Sequence, residues 1–165
     1  MQGRVGRLAT GERLGGFTYG TIVVLAVLVA GARAYEHDAG HIAILVAATC
    51  VTFWLAHVYS DALADSVANK QRISFAELRL IARRESAIVE AAVPPLAALV
   101  VGALGLLSTR TSVWIAFGLG LAVLVVEGIT VARLERLGPV ATLAVVSTNL
   151  GLGVLMVALK LFVSH

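Results

Sequence analysis

His57, Asp61 and Asp65 stand four residues apart in the stretch TFWLAHVYSDALAD, residues 52–65. On a helix that spacing places all three along one side, with Cys50 and Trp54 above them. An imidazole that titrates near neutrality, close to carboxylates, suits a path for protons or cations. Glu127, Glu90 and Asn149 lie in other apolar segments and extend the set of candidate polar groups. Three readings fit these residue types. They form a hydrogen-bond network that holds helices together; they line an ion or proton path; or His57 and Asp61, completed by Glu90 or Glu127, hold a transition metal. No second histidine lies at the depth of His57 and no E-x-x-H occurs, so the metal reading has the least support and no metal site is expected.

The elements that must position these groups are membrane helices. Of 165 residues, 59% are apolar and only 14% charged, against about a quarter charged in ordinary soluble domains. The apolar residues fall into blocks, and about 20 of them in a row span the hydrocarbon layer. Five segments qualify: 14–34, 41–64, 87–107, 112–132 and 138–162. No strand alternation appears, so a barrel is not expected. The expected fold is an all-α polytopic membrane bundle of about five transmembrane helices in a single domain. The first segment reads as an uncleaved anchor, although "ARA" at 32–34 has a small-x-small cleavage pattern.

Between the second and third segments lies a polar, basic connection. Ser74 and Glu77 have the spacing of a capping box, so a short cytoplasmic helix over about 75–86 is expected. Placing the N-terminus inside puts ten basic residues on the cytoplasmic side: Arg4, Arg7, Arg13, Lys70, Arg72, Arg79, Arg83, Arg84, Arg133 and Arg136. Only Arg33, Arg110 and Lys160 then lie outside. That bias predicts an N-in, C-out topology. It also accounts for the net charge of +3 without a nucleic-acid partner. At ~1.5 Å per residue, His57 and Glu127 come to a similar depth in the cytoplasmic half of the bilayer, with Asp61 and Glu90 nearer the surface and Asn149 nearer the midplane.

Pro94 and Pro95 interrupt the third segment. They cannot donate to the carbonyls of Glu90 and Ala91, so a kink is expected there. Gly16-x-x-x-Gly20, Ala116-x-x-x-Gly120 and Ser147-x-x-x-Gly151 are small-x-x-x-small spacings that permit close helix contacts. The lone Cys50 offers no intrachain disulfide.

Two stretches resemble the lysosomal potassium channel family and its prokaryotic relatives. That family carries R-x-x-x-F-S-D at the start of its first helix; here the stretch is Arg13-Leu-Gly-Gly-Phe17-Thr18-Tyr19. Thr18 stands for the serine and Tyr19 for the aspartate. A Trp and a His near the inner end of the second helix are similar to FWLAHVY at 53–59. The resemblance implies a homotetrameric cation pore lined by the first helix, with Val24, and Leu28 one turn on, at the constriction. The chain also resembles small membrane proteins of high-GC bacteria, which implies the bacterial inner membrane and no particular activity.

Enzyme signatures are poor. D-x-x-x-D at 61–65 is similar to the metal-binding carboxylates of membrane prenyl and phosphatidyl transferases, but their other motif residues are missing. No G-x-S-x-G, H-E-x-x-H, C-x-x-C or P-loop occurs. No cofactor is expected. The sequence therefore points to a small homo-oligomeric membrane conduit for a cation or protons, with His57, Asp61, Glu127, Glu90, Asn149 and Trp54 along its path. The alternative is an accessory subunit whose buried polar groups only hold helices together or dock a partner.

Overall fold

A computed structural model describes residues 2–70 and 72–163. Its side chains are described from Gly11 onward, with gaps at 12, 71 and 156–157 and after Ala158. Arg4, Arg7 and Lys160, counted above for topology, lie outside the described side chains. The described chain is helical throughout: α1 (Gln2–Ala34), α2 (Ala39–Asn69), α3 (Phe75–Glu85), α4 (Ala87–Glu90), α5 (Val93–Ala103), α6 (Thr109–Leu134) and α7 (Pro139–Val163).

Local chemistry sets the boundaries. Asp38 caps α2 by accepting the His41 N–H at 2.9 Å, and its other carboxyl oxygen meets His41 Nδ1 at 2.5 Å. Ser74 and Glu77 close the expected capping box at the start of α3, each side chain bonding the other's backbone N–H. Two residues past the end of α5 lies Gly105, whose φ of +77° suits a residue without Cβ. The Leu106 N–H there reaches back to the Val101 carbonyl at 3.2 Å. Ser108 then accepts the Thr111 N–H and starts α6.

Three helices are long and apolar enough to cross a membrane: Arg13–Ala34 within α1, α2 and α6. The third expected segment is broken. Pro94 and Pro95 occupy the first turn of α5, where a missing N–H is tolerated. Ala91 and Ala92 separate α5 from α4, and the two arms, Phe75–Glu90 and Val93–Ala103, meet at 54°. Counted as one bent span, this pair makes four. The fifth expected segment is the α7 helix, whose described stretch Pro139–Leu155 is apolar.

The α1 helix is the hub of the bundle and touches α2, α3, α4, α6 and α7. Gly16 and Gly20 face α4. A Cβ at Gly20 would sit 2.6 Å from the Ile88 carbonyl oxygen, so only hydrogen fits there. Further along α1, Leu25 enters the space left by Gly120 of α6 and Gly153 of α7. Gly128 of α6 packs on Val146 of α7. The core formed around these contacts includes Val24, Leu28, Val46, Leu99 and Phe117. Ala116 and Gly120 are thus a packing pair, whereas Ser147 and Gly151 are exposed and Gly151 meets open space within the chain.

Gly20→Ala is expected to force α4 away from α1 and to destabilise the bundle by about 1–3 kcal/mol. Gly118→Ala, at a position with nothing within 4 Å, should be neutral or slightly stabilising. Thermal unfolding of both variants in one detergent checks the contrast.

Candidate functional site

The start of α1, the end of α2 and the α3–α4 arm meet at one end of the bundle, and most of the polar candidates gather there. Arg13 of α1 donates to both carboxyl oxygens of Glu90, at 3.2 and 2.9 Å. The Ser86 hydroxyl donates to the same carboxylate at 2.7 Å. Arg84 of α3 donates to Asp61 of α2 at 2.5 Å and to its neighbour Glu85 at 3.1 Å. Trp54 donates its indole N–H to the Ala82 carbonyl at 3.0 Å, which ties α2 to α3 one level deeper. A polar cleft of about 470 Å³ opens between these helices, lined by Gly15, Gly16, Asp61, Ala64, Asp65, Arg84 and Glu85.

His57 lies between Trp54 and Asp61 along α2. Its Nδ1 meets the Phe53 carbonyl at 2.9 Å. A carbonyl can only accept, so Nδ1 carries the hydrogen and a neutral ring keeps Nε2 as an acceptor. The ring packs on Tyr19 of α1 at 5.1 Å, and Tyr19 in turn meets Phe53 edge-on at 6.0 Å. Tyr19 remains partly open to the outside of the chain.

Glu127 is separate. It is 5% exposed, in the middle of the contacts among α1, α6 and α7. Thr18 of α1 is the polar side chain that reaches toward it, yet neither carboxyl oxygen has a hydrogen-bond partner within bonding distance among the described residues. Thr18 and Tyr19 are successive residues, ~100° apart around α1. Glu127 and His57 therefore share a level but occupy different flanks of the same helix. Asn149 lies one turn from Val146, which packs on the residue after Glu127; its side chain is half-buried.

The polar residues thus form two groups. Asp61, Glu90, Trp54 and His57 belong to the end layer, with Arg13 and Arg84 as the partners that spacing along the sequence did not reveal. Glu127 stands apart with Thr18. Among the described residues no three His, Cys, Asp or Glu side chains come together as metal ligands, so His57, Asp61, Glu90 and Glu127 do not assemble into one coordination site. Val24 and Leu28 are fully buried in the core of one chain. Within that chain they pack against neighbours in the core.

Outside the spans, the Glu77 carboxyl is held below its ordinary range, chiefly by the Ser74 backbone N–H and then by the Ser74 hydroxyl. A depressed carboxyl favours the folded capping box above its unfolded pKa, and that contribution is lost as pH falls through the folded value. In carboxyl NMR, Ser74→Ala should move the Glu77 midpoint upward, toward the ordinary value; an unmoved midpoint would show that the box does not form in solution. The Asp61–Arg84 pair is about a third exposed on both sides, so screening limits it. A double-mutant cycle with Asp61→Asn and Arg84→Gln should return a coupling of about 0.5–1 kcal/mol in thermal or denaturant unfolding.

Comparison with protein-family models, curated proteins and solved structures finds no match to this chain.

Proposed function

We propose that the chain is a small membrane conduit for protons or a cation, working as a homo-oligomer, with Glu127 as the group that takes up and releases the ion. In this reading α7 and the α4–α5 part of the bent arm also cross or enter the bilayer, with α3 on the cytoplasmic side, which makes five crossings with the N-terminus cytoplasmic. The bacterial inner membrane suits that arrangement.

The observation that carries the proposal is Glu127 itself, a carboxyl 5% exposed with neither oxygen at bonding distance from a partner among the described residues. Leaving a carboxylate buried and unpaired costs several kcal/mol. Helix packing alone gives no reason to retain it, since a leucine would fill the place. A carboxyl that must meet a proton or a cation to be tolerated there is suited to carrying one. Thr18 on α1, which reaches toward Glu127, and Asn149 on α7, one turn from the Val146–Gly128 contact, would extend a polar route from it.

A second reading has its own support. Arg13–Glu90 and Asp61–Arg84 join helices distant in sequence, which is what an accessory subunit needs from its polar groups. In that case these residues hold the arm in place and the chain serves a partner.

Flux separates the two readings. Purified protein in liposomes should dissipate an imposed proton or potassium gradient. Glu127→Gln should lower that flux at least tenfold while the variant stays folded and associated. Gradients that persist with wild-type protein, or a flux indifferent to Glu127→Gln, would overturn the conduit reading and favour the accessory one.

A further inference from the structure

The outward face of α3 combines bare apolar and basic side chains. Phe75, Arg79 and Arg83 follow one another at four-residue spacing and are all exposed, Phe75 at 80%. Leu80, 71% exposed, lies beside them. The opposite side is fixed: Ile81 is buried, the Ala82 carbonyl holds Trp54, and Arg84 holds Asp61. The helix therefore cannot roll to hide its exposed side. Lys70 and Arg72 continue the basic stretch just before the helix.

The charges here are unbalanced. Lys70, Arg72, Arg79 and Arg83 have no ion-pair partner among the described residues, whereas Glu77 is engaged by the capping box and Glu85 by Arg84. Ser86–Ala92 is all that separates α3 from α5, the apolar arm of the bent pair. This face consequently lies at the level of the lipid headgroups if α5 enters the bilayer. Arginines interspersed with a bare phenylalanine and leucine fit such a surface: the cations meet phosphates, and the apolar side chains enter the boundary of the acyl region.

We propose that α3 is a lipid-binding helix whose Arg79–Arg83 face, together with Lys70 and Arg72, binds anionic phospholipid headgroups. The partner is a lipid surface rather than a soluble acidic protein, because the exposed apolar residues share the stripe with the cations and the stripe is tethered to a candidate span. The inference is independent of whether Glu127 carries an ion.

The test uses the full chain in neutral-detergent micelles, titrated with phosphatidylglycerol or phosphatidylcholine and read by native mass spectrometry. Phosphatidylglycerol should bind more tightly, and the difference should shrink at high salt. At roughly fivefold per cation, Arg79→Gln with Arg83→Gln should reduce the preference about 25-fold without lowering the unfolding temperature. Arg79→Lys with Arg83→Lys should retain most of it, and Arg110→Gln, at the opposite end of the bundle, should leave it unchanged. Equal binding of the two lipids, or a preference that survives the double glutamine variant, would overturn the proposal. So would a co-purifying protein that occupies this face and excludes the lipid.

Discussion

The bundle depends on how closely α1 approaches its neighbours. Gly20 brings the α1 backbone against the Ile88 carbonyl, and Leu25 enters the spaces left by Gly120 and Gly153. Apolar helices in lipid gain little from hydrophobic exclusion, because lipid tails are as apolar as leucine; close packing and polar contacts must hold them together. One helix making tight contacts on several flanks therefore fixes where the others stand. It also sets the directions of Arg13, Thr18 and Tyr19 along α1. Arg13 meets the α4 carboxylate, Thr18 reaches toward α6 and Tyr19 meets α2.

This arrangement sorts the polar residues by energy. The ion pairs at the end of the bundle are partly exposed, and pairs of that kind contribute at most about 1 kcal/mol each. Their effect is chiefly geometric: they hold the α3–α4 arm across the ends of α1 and α2. An unpaired buried carboxyl works in the other direction, at several kcal/mol if ionised. The unfavourable group outweighs the favourable pairs. That imbalance is why the proposed function rests on Glu127 rather than on the more conspicuous charged layer, and why His57 and Asp61 take a supporting place.

Much of the helical layout was legible in the sequence. The capping box at Ser74, the break at Pro94–Pro95 and the close contacts at Gly16, Gly20 and Gly120 follow from local chemistry that a single segment carries. Relative level along the helices was legible too, since rise per residue gives a level for each side chain. Azimuth was not. The helices are apolar nearly all round, so periodicity does not say which flank meets which neighbour. His57 and Glu127 were expected in one path, and they meet successive residues of α1, Tyr19 and Thr18, on two of its flanks. Arg13 and Glu90 are 77 residues apart, and no local pattern links them. Val24 and Leu28 came from a resemblance that assumes an α1-lined pore, and the contacts of a single chain give them to the core.

Infrared difference spectroscopy of the reconstituted protein, with pH or cation concentration changed on one side of the bilayer, tests the role of Glu127 most directly. The carbonyl stretch of one carboxyl should respond to the change, and the responding band should be absent in Glu127→Gln. A Glu127 band unmoved by either gradient, or a response identical in the glutamine variant, would contradict that role.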